Sequence, residues 1–178
     1  MLLHYFKTME VQAMDYKFLA NQCMLRLKEI TAVEMPLEPF NTKGPIILQF
    51  DEKLIVRFLF DENKGRLYWY IYIGSLPDDT AESNDICKVL LVANGLAQTL
   101  IDCTFTLEPD EFGKSLITLV GGVTLSLEDA DTFIAKLELF LQVAEHWKEA
   151  FSEEASTTLD ARTVKTVSDT IEESFVKV

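Results

Sequence analysis

At 178 residues, with 16 Lys and Arg against 29 Asp and Glu, the chain carries a formal charge of −13. That length fits one domain, or one domain with a tail, and such a chain buries roughly 70% of its extended-chain surface without a disulfide or metal staple. The charge excludes nucleic acid and anionic membranes as natural partners, because phosphates are recognised by Lys and Arg. It serves solubility, a basic client segment, or both.

In chain order, the first periodic stripe is Met9, Ala13, Tyr16, Ala20, Cys23, Leu27 and Ile30. Its alternating spacings of four and three predict a helix with one apolar face, which Pro36 and Pro39 stop. Met1–Met14 is interrupted by Lys7 and Glu10, so no signal-peptide core is expected there. Strands are predicted at Ile46–Phe50, Leu54–Phe60 and Arg66–Ile73, joined by short polar turns into an antiparallel meander. A helix follows from Thr80, carries Ile86, Val89, Leu90 and Ala93, and weakens at Asn94-Gly95. Cys103, Phe105 and Leu107 alternate with polar residues through Asp102–Glu108, the signature of a half-buried strand. Ser115–Val120 is the next strand, and Gly121-Gly122 reads as a link. A long helix then begins at Ser126 or Leu127 with the core stripe Phe133, Leu137, Phe140, Ala144, Trp147 and Phe151. The order is α-β-β-β-α-β-β-α, an α+β fold with a twisted antiparallel sheet packed by helices. The domain is placed at 1–151, with 1–8 an N-terminal extension. Residues 152–178 are an acidic Ser/Thr-rich stretch expected to be a mobile tail, with a weak apolar stripe at Val164, Val167, Ile171 and Phe175.

No constellation supports catalysis, a cofactor or a metal. Gly113-Lys114-Ser115 lacks the Gly that a phosphate loop needs at position 108, where Glu108 stands, and a strand rather than a helix follows it. Asp61-Glu62-Asn63-Lys64-Gly65 starts like a calcium loop without its later ligands. The acids Asp78, Asp79, Glu82 and Asp85 gather where a helix start favours them. His4 and His146 stand apart from Cys or carboxylate at ligand spacing. Cys23, Cys87 and Cys103 form no framework and are expected as reduced thiols, mostly buried. The uncharged runs Val89–Ile101 and Ser115–Leu127 fall short of the ~20 residues that span a bilayer.

What stands out is apolar surplus. The third strand places Leu67, Trp69, Ile71 and Ile73 on one face and Tyr68, Tyr70 and Tyr72 on the other. Either helices cover both faces, or the tyrosine face takes another chain by groove or strand addition.

The strand pair with its acidic turn, Gly74-Ser75-Leu76-Pro77, Leu90-Leu91-Val92-Ala93-Asn94, and Phe140 through Ala144-Glu145-His146-Trp147 occur in an order that resembles the Tir-chaperone family, the class I type III secretion chaperones. The likeness covers residues 40–151. It implies a non-enzymatic homodimer of the bacterial cytoplasm that binds the N-terminal segment of one or more effectors, keeps it secretion-competent and delivers it to the export apparatus, with the export ATPase as a further partner. It implies a dimer interface at Ile86, Val89, Leu90, Ala93, Cys103 and Phe105, and effector binding by Phe18 and Leu25 with Tyr68, Tyr70 and Tyr72. Three roles stay open for residues after Ser152: occupying an empty groove, binding the export apparatus, or neither. Two other readings are a YbjN-like regulatory protein of the same fold and a small hydrolase or transferase with a degenerate site.

Overall fold

Asp15 starts the first helix by accepting the Phe18 N–H on its side-chain oxygen at 2.9 Å, a cap that satisfies one of the orphan donors of the first turn. The computed structural model describes residues 15–31, 33–41, 44–50, 54–100, 102–125 and 130–151, with the backbone alone for 96–100. Met9 and Ala13 of the predicted stripe, the N-terminal extension and the tail lie outside them. Helix α1 spans Tyr16–Thr31 and buries Ala20, Asn21, Cys23, Met24 and Leu27. Ile30, predicted on the buried face, is 47% exposed. A repeat averaging 3.5 drifts against the 3.6 residues of a helical turn, so the inward face rotates onto Asn21 and Met24 and leaves Ile30 outside. Asn21 uses its burial, since its side-chain oxygen accepts the Phe40 N–H at 3.2 Å and pins the single 3-10 turn Pro39–Asn41 against α1.

Strands β1 (Ile46–Phe50), β2 (Leu54–Asp61) and β3 (Arg66–Ser75) form the predicted meander. Helix α2 runs Thr80–Leu100, capped by Asp79, whose carboxylate accepts the Ala81 and Glu82 N–H groups at 3.0 and 2.9 Å. It does not weaken at Asn94-Gly95 but continues to Leu100. Strand β4 is Cys103–Pro109 and β5 is Ser115–Thr124. The last helix, α3, is Ala130–Ala150; the predicted start at Ser126 or Leu127 lies outside the described residues. The sheet order is β1-β2-β3-β5-β4, every neighbour antiparallel, so β5 inserts beside β3 and leaves β4 on one edge.

Gly121-Gly122 is not a link. Both residues sit inside β5, Gly121 opposite Trp69 and Gly122 opposite Tyr68. A Cβ on Gly121 would stand 2.6 Å from Trp69 Nε1 and 3.0 Å from Phe140 Cδ2. The indole of Trp69 occupies the space a side chain would need, which is the meaning of glycine within a strand. Trp69 meets Phe133 and Phe140 edge to face at 5.4 and 6.2 Å, the arrangement that aromatic quadrupoles prefer. Phe105 and Trp147 extend the cluster at 4.7 Å, and Trp147 is fully buried. Of the predicted α3 stripe only Phe151 is half-buried.

The β4 edge is closed by a side chain. Asn94 Oδ1 accepts the Phe105 N–H at 2.6 Å and Asn94 Nδ2 donates to the Phe105 carbonyl at 3.1 Å. One amide thus imitates a neighbouring strand and blocks pairing at that point.

Two stability outcomes follow from this packing. Trp147→Ala should cost about 3–5 kcal/mol and lower the melting temperature by more than about 6 °C; melting with the parent would remove Trp147 from the core. Asn94→Leu keeps the branched shape but strips Phe105 of both partners. Its urea midpoint should fall by an amount worth about 1–3 kcal/mol, and an unchanged midpoint would show that water serves the edge equally well.

Candidate protein-binding surface

Strand pleating sends alternate side chains to opposite faces, and α1 and α3 cover only one of them. Leu48, Val56, Phe58, Leu67, Trp69 and Ile71 point into that dry side. The opposite face carries Ile47, Ile55, Leu59 and Tyr72, between 46% and 56% exposed, with Tyr68 and Tyr70 half-buried among them. The register aligns these residues in rows: Ile47 opposes Arg57, Arg57 opposes Tyr70, and Tyr70 opposes Val120. Leu59 lies beside Tyr68, whose ring is overlaid by the Arg66 guanidinium at 5.3 Å. A shallow concavity opens here, lined by Ile55, Arg57, Tyr70, Tyr72, Glu108, Leu116, Thr118 and Lys148. Isolated exposed apolar residues are normal, but a contiguous patch of this kind is a candidate surface for another chain.

The predicted effector-binding residues do not form one groove. Tyr68, Tyr70 and Tyr72 lie on the open face of the sheet, whereas α1 packs with α3 on the other side. Phe18 is 56% exposed and Leu25 half-buried, both off the inward stripe of α1. The surfaces are therefore two. A second concavity lies near α1 and beside the β1 edge, between Val33, Gln49, Phe50, Leu54 and Leu141.

Of the predicted dimer residues, Ile86, Leu90, Ala93, Cys103 and Phe105 are each at most 7% exposed and bind α2 to β4 within the chain. Val89 is half-buried against the same core. The apolar residues that α2 presents outward are Leu91 and Val92, 72% and 59% exposed.

The loops weighed as chemical sites have structural roles. Asp110 Oδ1 accepts the Phe112 and Lys114 N–H groups at 2.8 and 2.7 Å and the Asp110 carbonyl accepts the Gly113 N–H at 3.1 Å, so these three amides are used within the turn and are not turned to a phosphate. Asp61 accepts the Lys64 N–H at 3.2 Å and closes the β2–β3 turn, where Gly65 adopts a φ of 57°. A Cβ there would enter the Tyr16 ring. Asp85 pairs with Lys88 at 2.7 Å. Among the described residues no group of His, Cys, Asp and Glu is placed to hold a metal, and no helix is long and apolar enough to cross a membrane. Cys23, Cys87 and Cys103 form no disulfide, and Cys23 and Cys103 are buried. Burial, with Asp102 beside it, pushes the Cys103 thiol up to about 12, the opposite of an activated nucleophile. His146 is half-buried with its Nε2 unpaired, and His4 lies outside the described residues.

The sequence reading did not single out Arg57, Ile55 and Ile47 for the open face, or Asn94 at the edge. Ile55 and Arg57 were legible in part, because β2 is apolar at both parities except at Arg57 and its last residue, Asp61. Asn94 was not, since its role depends on a strand that follows in the chain.

Comparison with solved structures gives the same fold at low identity. A chain of the ExsC–ExsE complex aligns with a TM-score of 0.57 and 17% identity, over 78% of this chain and 97% of that one. A chain of the HopA1–SchA chaperone–effector complex gives 0.51 and 18%, over 74% and 97%. YbjN of E. coli, a putative transcription regulator, gives 0.49 and 7%, over 74% and 90%. Comparison with curated protein sequences finds no match. The profile of the Tir chaperone protein (CesT) family matches residues 33–148, which include all five strands, α2 and nearly all of α3, and the chain belongs to that family.

Proposed function

We propose that this protein is a type III secretion chaperone that binds the N-terminal region of one or more effectors, holds it secretion-competent, and passes it to the export apparatus and its ATPase in the bacterial cytoplasm. The observation that carries the reading is the uncovered apolar face of a sheet whose opposite face is fully packed. A disordered client lays alternate apolar side chains on such a face and pairs its backbone along an open edge. The β1 edge suits that pairing, because Asn94 occupies the other edge at Phe105. Binding of this kind needs no hydrolysis of ATP by the chaperone. The acidic surface keeps the free protein dispersed while the patch awaits its client.

The working unit in this reading is a two-fold dimer. A C2 interface requires the same exposed patch on both copies, and Leu91 and Val92 on the outer face of α2 provide one. The residues first expected there support that helix from within.

The client is found by affinity purification from the native bacterium, and its N-terminal region then serves as titrant in calorimetry. Ile55→Asp combined with Tyr70→Asp should weaken binding at least tenfold, about 1.4 kcal/mol, while the melting temperature stays near that of the parent. Phe18→Asp reports on the α1 surface separately. Parental affinity in all of these would displace the client from both surfaces. For the dimer, light scattering on the parent should give twice the 20.3 kDa chain mass, and Leu91→Asp with Val92→Asp should give the monomer. A monomeric parent at micromolar concentration rules the dimer out.

A further inference from the structure

The same chain carries a segment whose chemistry suits the open face. Arg57 stands at its centre between Ile47 and Tyr70, and its guanidinium makes no ion pair or hydrogen bond with another described residue. An unpaired guanidinium on an apolar face, in a chain of charge −13, calls for a carboxylate carried on an apolar segment. The fold ends beside this face. The Phe151 side chain itself turns to the covered side, stacked on Trp147 and packed on Gly74, which a register shift after Tyr72 sets opposite the buried Ile117. Lys148, one helical turn before Phe151, lines the same concavity as Tyr70 and Tyr72.

The residues that follow have the matching pattern. Val164, Val167, Ile171 and Phe175 recur among Asp169, Glu172 and Glu173, after a polar stretch at 152–163. That stretch reaches up to about 40 Å when extended, whereas five strands span about 24 Å. Any part of the face is therefore in range. Tethering also gives the segment a local concentration in the millimolar range for a short linker, so even weak contacts suffice.

We propose that residues 164–175 bind the open sheet face of their own molecule, with apolar side chains on Ile55, Tyr70 and Tyr72 and a carboxylate at Arg57, and that a client must displace them. The displacement rests on the reading of this face as the client surface; the intramolecular contact does not. Clients then bind with an affinity lowered by the fraction of molecules whose face is occupied.

The test uses the full-length chain labelled with 15N and needs no client. Val167→Asp with Ile171→Asp changes only the segment, outside the packed core. It should shift the amide resonances of Ile55, Arg57, Tyr70 and Tyr72, and Arg57→Glu should shift those of residues 164–175. Shifts confined to the substituted segment in the first variant would overturn the proposal. So would face shifts that vanish on dilution, which would assign the segment to a second copy. A client that binds elsewhere leaves this readout unchanged, so the failure of either idea is seen separately.

Discussion

Trp69 can lie flat against the sheet only because Gly121, its partner on the next strand, has no side chain, and Phe133 and Phe140 then close over it edge to face. That contact fixes the parity of the whole sheet. Side chains alternate with a period of two, so an inward Trp69 commits Tyr68 and Tyr70 to the other face. The register carries the decision outward, to Arg57 and Ile47 through Tyr70 and to Leu59 through Tyr68. A slip of one residue would bury three tyrosines and an arginine and expose a tryptophan. The open face is thus a consequence of how the core is packed, and it cannot be altered without altering that core.

The same dependence explains what could be read from the sequence and what could not. Strand starts at Ile46, Leu54, Arg66 and Ser115 and the helix start at Thr80 were legible, because turn residues and caps act locally. The pair Gly121-Gly122 was misread as a link, since glycines there look like punctuation until the indole opposite is known. Ile30 was misassigned because a 3.5 repeat and a 3.6 repeat separate only after several turns. Dimer residues on α2 were chosen for being apolar, and most proved to be the inner face of that helix. Apolarity identifies a helix that must be covered, and only the fold tells which stripe its own chain covers. Partition of Phe18 and the tyrosines onto opposite sides was likewise invisible, because parity relates residues within a strand and not between a strand and a helix.

The two sheet edges are treated differently, and the difference has a physical purpose. An unpaired strand edge next to an exposed apolar face is a template for aggregation. Asn94 removes part of that hazard at β4 by satisfying Phe105 through its own amide, at the cost of fixing one side chain. At β1 no such clamp is present among the described hydrogen bonds, and the edge runs beside a second concavity. On the reading proposed above, a client that paired with β1 would be held in one orientation relative to the row Ile47, Arg57, Tyr70, and strand pairing and side-chain recognition would act on the same segment.

Charge completes the constraint. A strongly acidic chain repels its own copies and any acidic segment at long range, with a reach of about 8–10 Å at physiological salt. Arg57 stands among exposed apolar side chains, where a segment that covered it would exclude water and strengthen a direct ion pair. On that reading, approach is disfavoured for acidic chains in general and favoured for one that brings apolar residues and a carboxylate together. Selectivity on such a face comes from penalising the wrong occupant as much as from attracting the right one. Tyrosine suits the lining because its ring offers area at little entropy cost while its hydroxyl remains hydrated when the site is empty. The face can stand exposed without collapse onto other copies, and it still offers enough apolar area for a segment that arrives unfolded.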